Sequence, residues 1–172
     1  MENPTNIIHL QIEEIRESIV DEVPVTKKFI ELLDAFETED KEMIKKKCFE
    51  FFNDFKHFAY FRIQFLLVAD LLSLFLEEDD IIDFLEILET YFDKPLEAYR
   101  TGISELDENG GVELREIRIK RDILNVFERI TEYLKDSELH DRYRELLENM
   151  KIILKGKEES FRQLLAKLNR SE

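Results

Sequence analysis

The chain has 172 residues, with 40 Asp+Glu against 25 Lys+Arg, for a formal net charge of −15. An apolar share of 44% excludes a disordered acidic tail, and a charged share of 38% argues against an integral membrane protein. Only 4 Gly and 3 Pro count against a turn-rich β-sandwich. The single cysteine, Cys48, excludes an intrachain disulfide framework or a Cys-based zinc cluster.

Taken from its start, MENPTNIIHLQIEEIRESIV lacks a cationic stretch followed by an apolar one, so it does not read as a secretory signal. At the other end, LLAKLNRSE carries no prenylation or retention motif, and a cytoplasmic protein is expected. Lys, Glu, Ile and Phe are abundant while Gln, Met and Cys are few, a bias common in proteins from hot environments.

Between Val25 and Lys94 there is neither Gly nor Pro, so the turns that a β-rich fold needs are missing and helix formers dominate. The pattern predicts a first helix over Pro4 to Asp21 and a second over Pro24 to Phe36. A third is expected over Asp40 to Phe55, with Ile44, Cys48, Phe51, Phe52 and Phe55 as its apolar stripe. The fourth, His57 to Leu76, contains FAYFRIQFLLVADLLSLFL. This run approaches the roughly 20 residues that cross a bilayer. Arg62, Gln64 and Asp70 within it favour a core helix covered by amphipathic neighbours. Arg62 and Asp70 are eight residues apart, too far for mutual pairing along one helix. Each is expected to pair with another helix or to mark a pocket.

A fifth helix is expected over Ile81 to Phe92 with Asp80 as N-cap, and a short sixth from Pro95. Next comes Asp107-Glu108-Asn109-Gly110-Gly111. Asn-Gly between partly alternating segments signals a hairpin over 99–120. A helix over Val112 to Leu134 is preferred, because Leu114, Ile117, Leu124, Phe127, Ile130 and Leu134 recur at helical steps. The eighth helix is expected after Ser137. Its stripe holds Leu139, Tyr143, Leu146, Leu147, Met150, Ile153 and Leu154, with Gly156 as the residue that ends it. A ninth covers Glu158 to Asn169, with Phe161, Leu164, Leu165 and Leu168 inward. The fold class expected is all-α: an irregular multi-helix bundle or α–α array of about 7–9 helices around a central apolar helix near residues 57–76.

Charge is unevenly spread. Residues 1–112 hold 11 basic and 27 acidic side chains, a net of −16, whereas residues 113–172 hold 14 and 13, a net of +1. A single helical domain with a subdomain boundary at 107–111 accounts for this division. Acidity is densest at Glu77, Glu78, Asp79 and Asp80 and continues through Asp83 and Glu86. This stretch suits either a solvated helix face or a surface that attracts a basic protein partner. Arg115, Arg118, Lys120 and Arg121 form the one basic cluster, interrupted by Glu113 and Glu116 and without aromatic interleaving. Direct nucleic-acid binding is therefore not expected. In a two-fold homodimer this cluster could meet Glu77–Asp80 of a second copy.

No phosphate-binding loop, nucleophile elbow or HExxH helix occurs. Asp107-x-Asn109-x-Gly111 opens like a calcium loop. Val112 stands where that loop needs Gly and Arg118 where it needs the bidentate Glu, so the motif fails. The carboxylate and imidazole residues His9, Glu13, Asp54, His57 and His140 are the only weak candidates for a metal site, and no Glu-x-x-His is present. The expected function is a non-enzymatic protein–protein interaction module with an acidic surface, needing no cofactor and no membrane. The rivals are an acidic inhibitor that imitates nucleic acid, and a metal- or small-molecule-binding bundle.

Overall fold

The structure is a computed structural model that describes residues 25–55 and 76–170. Among the described residues it is helical throughout, with six α-helices, one 3₁₀ turn and no strand. The expected helix at Pro4 to Asp21 and the central apolar helix near residues 57–76, with Arg62 and Asp70, lie outside the described residues, as do His9, Glu13 and His57. No described helix is long and apolar enough to cross a membrane. The chain divides into two compact units, Met1–Ile87 and Leu88–Glu172.

In the first unit, α1 (Val25–Thr38) and α2 (Lys41–Phe52) form a helical hairpin. The turn between them is very short. Glu39 takes a left-handed conformation, φ +59°, which stops α1. Asp40 then caps α2 by accepting from the N–H groups of Glu42 and Met43 at 3.1 and 3.3 Å. Leu32, Leu33 and Phe36 of α1 and Ile44, Cys48 and Phe51 of α2 are buried, and Lys47 reaches Glu31 at 3.6 Å across the pair. Ile44, Cys48 and Phe51 therefore pack inward as their spacing requires, and burial pushes the Cys48 thiol far up. The hairpin's neighbour α3 (Glu78–Phe92) stacks Phe84 on Phe49, with ring centroids 4.5 Å apart.

The start of α3 corrects one expectation. Asp80 is not the N-cap. The helix begins at Glu78, and Asp80 sits three residues past Glu77, whose N–H its Oδ2 accepts at 3.2 Å. A carboxylate one turn inside the helix satisfies an orphan donor as well as a cap does, so the helix starts earlier.

In the second unit a 3₁₀ turn (Leu96–Tyr99) follows Pro95, and α4 (Ser104–Asp107) is a single helical turn. Residues 99–120 are not a hairpin. Asn109 and Gly110 do take the left-handed conformations that an Asn-Gly hairpin turn requires, φ +56° and +86°. Here the turn joins α4 to α5 (Gly111–Thr131), because the residues after it hold the helical period. The Asn109–Gly111 turn lies inside this unit.

Helix α6 (Ser137–Arg170) is capped by Asp136, which accepts from Glu138 and Leu139 N–H at 2.9 and 3.1 Å. It runs through Gly156 without a break, so the expected eighth and ninth helices are one element of 34 residues. Gly156 does not adopt the left-handed conformation that ends helices, and no Pro follows it. One helical Gly costs only about 1 kcal/mol against Ala, less than the packing that both flanks supply. Helices α5 and α6 are antiparallel: Glu132 meets Arg144, Glu128 meets Lys151, and Glu116 meets Lys157 at 2.7, 3.8 and 3.5 Å. Val126, Phe127 and Ile130 of α5 and Tyr143, Leu147, Met150 and Leu154 of α6 are buried.

Gly156 gives a direct test. Apart from the neighbouring backbone of its own helix, no atom lies within 4 Å of the position its Cβ would occupy. Gly156→Ala should therefore stabilise the protein by about 0.5–1 kcal/mol, read as a shift in the denaturation midpoint at constant slope. A loss of stability would mean that the glycine is needed for contact or bending.

Candidate functional site

The acidic segment begins at a buried residue, Leu76, and turns at once into α3. Ile81, Phe84, Leu85 and Leu88 bury one side of that helix. The opposite side carries Asp79, Asp83 and Glu86, all exposed; Glu77 is exposed at the opening turn and Glu78 half-buried. Asp80 does not share this surface. It is 6% exposed, and its Oδ1 lies 2.6 Å from the Lys45 ammonium of α2. That hydrogen bond and charge hold the Lys45 pKa above its ordinary value. Asp80 thus ties α2 to α3, while its neighbours face solvent.

The basic cluster separates in a similar way. Arg118 and Arg121 are exposed and Arg115 is half-buried, but Lys120 points inward. Arg121 meets Glu158 at 3.1 Å. Lys120 and Glu116 break the inward stripe of α5 between Val112 and Ile123, and their side chains are only 4% and 6% exposed. The Lys120 ammonium lies 3.1 Å from Glu116 Oε2 and donates to the Lys94 carbonyl at 3.2 Å. It also sits 5.4 and 5.7 Å from the ring centroids of Phe92 and Tyr99. Glu116 Oε2 faces Lys157 as well, at 3.5 Å. Burial holds the Lys120 pKa below its ordinary value, against the pull of Glu116. Burial and the nearby Glu116 charge push the Tyr99 phenol up, and its hydroxyl donates to the Tyr91 carbonyl at 3.3 Å. This arrangement clamps the Lys94–Tyr99 connection onto α5. The sequence carried its signal, a Glu-x-x-x-Lys pair inside an apolar stripe, and it was read there as part of a surface cluster.

Of the weak metal candidates, Asp54 and His140 lie among the described residues. His140 Nε2 lies 3.7 Å from Glu132, whose other carboxylate oxygen accepts from Arg144 at 2.7 Å. Asp54 is half-buried after α2. Among the described residues no group of three His, Cys, Asp or Glu side chains could hold a metal ion.

The failed calcium motif has a different use. Asp107 accepts from Thr101 N–H, Gly102 N–H and the Thr101 hydroxyl at 2.9, 2.8 and 2.7 Å, closing the loop ahead of α4. These bonds, led by the one from the Thr101 backbone, hold its pKa below the ordinary carboxylate value. An acid whose folded pKa is depressed stabilises the fold above its unfolded pKa and loses that contribution as pH falls through the folded value. Asp107→Asn should therefore be less stable than the parent at pH 7. The gap between them should close at an acid pH below the folded pKa of Asp107, where the parent is also neutral at this position. Denaturation midpoints at the two pH values test this, and a gap that persists in acid would deny the carboxylate charge its role.

No family model, curated protein or solved structure matches the chain. Among the described residues, Asp79, Asp83 and Glu86 of the acidic stretch stand together in solvent on the outer side of α3.

Proposed function

We propose that the chain is a non-enzymatic, cytoplasmic helical module that binds a protein partner with a basic surface through the outer side of α3. The observation that carries this reading is the exposure of Asp79, Asp83 and Glu86 on one side of a helix whose other side is buried. Residues four and three apart fall above one another within two turns, so the three charges act as one patch, with Glu77 beside its start. Asp80 pairs with Lys45 at 2.6 Å, and that ammonium also feels the charges of Glu77 and Asp83. Such a patch speeds encounter with a cationic surface and fixes its orientation more than it adds affinity.

The test is capture from native lysate with the parent chain and with Asp79→Lys/Asp83→Lys/Glu86→Lys, compared by mass spectrometry at two salt concentrations. A basic protein held by the parent, released by salt and not held by the variant supports the reading. Equal capture by both proteins overturns it.

A further inference from the structure

The segment around α4 and the end of α6 meet at the Gly110–Gly111 turn. A Cβ on Gly110 would lie 3.1 Å from Phe161 and 3.5 Å from Leu164, and one on Gly111 would strike the Leu106 carbonyl. Residues 103–108 and 161–168 therefore border the same turn. Both carry apolar side chains left in solvent: Ile103 is 54% exposed, Leu106 49% and Leu165 39%. Their charges are opposite. Residues 103–108 hold Glu105, Asp107 and Glu108 and no cation, a net of −3. Residues 162–170 hold Arg162, Lys167 and Arg170 and no acid, a net of +3.

From this juxtaposition we infer that the surface around Leu106 and Leu165 binds a second copy of the same chain in a two-fold dimer. A two-fold axis brings the acidic half of one copy onto the basic half of the other, and does so twice. Glu105 and Glu108 are exposed and Asp107 is committed to its own loop, so the first two are the groups presented to Arg162 and Arg170. Arg162 pairs with Glu159 on its own helix, at 3.3 Å with both side chains in water, a weak pair that a better partner displaces. Ile103, Leu106 and Leu165 supply the apolar contact, and the charges set register. Arg121 and Asp80, which an association of Arg115, Arg118 and Arg121 with Glu77–Asp80 would use, each have a partner within the chain. The new surface shares no residue with the outer side of α3, so its failure would not bear on the proposed function.

The experiment is sedimentation and mass measurement of the full chain across concentration, with two charge-swap variants. The parent is expected to shift from 20.7 kDa towards twice that mass. Glu105→Lys/Glu108→Lys and Arg162→Glu/Arg170→Glu should each associate at least tenfold more weakly. Mixed in equal amounts they should form a heterodimer, because both halves of the contact are then complementary again. Leu106→Glu, at a half-exposed position, should weaken the parent dimer without changing its helical circular dichroism. A parent that stays monomeric at its highest soluble concentration overturns the inference. So does a dimer indifferent to the swaps and to Leu106→Glu, or a mixture that fails to associate while each variant remains folded.

Discussion

Gly111→Ala should lower stability by about 3 kcal/mol, at the upper end of what overpacking usually costs. The added Cβ would lie 1.8 Å from the Leu106 carbonyl oxygen, and that oxygen belongs to backbone that cannot rotate aside as a side chain would. Relief requires α4 and α5 to separate at the turn. Asn109 and Gly110 are already in left-handed conformations there and have little room to adjust. For a chain of this length the change corresponds to a melting point lower by about 10 °C. Gly110→Ala should also destabilise, through its positive φ and the approach of Phe161, but by less, because the phenyl ring can shift. Thermal unfolding followed by circular dichroism reads both. A Gly111→Ala protein with the parent melting point would show that the turn is looser than its geometry states.

The second large effect concerns the clamp beneath the Lys94–Tyr99 connection. Glu116→Leu removes the carboxylate and leaves the Lys120 ammonium buried between Phe92, Tyr99 and the Lys94 carbonyl. Breaking a buried pair in this way costs about 3–5 kcal/mol. Lys120→Met should cost less, about 1–2 kcal/mol, because Glu116 keeps Lys157 at 3.5 Å and the methionine refills the stem volume. The double variant should recover most of the loss, since a matched apolar pair replaces a buried ion pair with little penalty.

The pH dependence follows from the direction of the Lys120 shift. Its pKa in the folded state is below the ordinary 10.5, so the fold disfavours the charged amine, and that cost is relieved as pH rises through the folded value. The deficit of Glu116→Leu should accordingly shrink in alkali. Tyr99 acts in the same direction, because Glu116 is part of what raises its phenol and the parent therefore loses more in alkali than the variant does. Equal losses for the two single variants, or a deficit that grows with pH, would contradict the clamp.

The helical class was legible because the residues that stop helices are scarce and each apolar stripe keeps its period. Cys48 and Phe51 were placed inward by spacing alone, and both are buried. Boundaries were less legible where two residues can perform one task. Asp80 was expected to cap α3 from outside and instead reaches back from within its first turn. Gly156 was expected to end a helix, yet a glycine ends one only when the chain also turns left-handed there, and nothing after Gly156 demands that. The acidic surface was legible as composition but not as geometry, since one of its densest members, Asp80, is turned inward to Lys45. Lys120 was missed for a related reason: a lysine at an inward position is taken for a surface charge unless its partner one turn earlier is read with it.

Helix α6 is continuous in its backbone but uneven in what holds it. Tyr143, Leu147, Met150 and Leu154 are buried, whereas Phe161, Leu164 and Leu168 on the same stripe are only half-covered and Leu165 is exposed. Amide hydrogens from about residue 143 to 154 should therefore exchange with solvent deuterium only when the whole unit opens. Those beyond Gly156 should exchange through partial unwinding from the C-terminal end, at far lower free energy. One helix thus contains two reservoirs of protection. A molecule that settles on its outer half would be recorded as a slowing of exchange confined to those last turns.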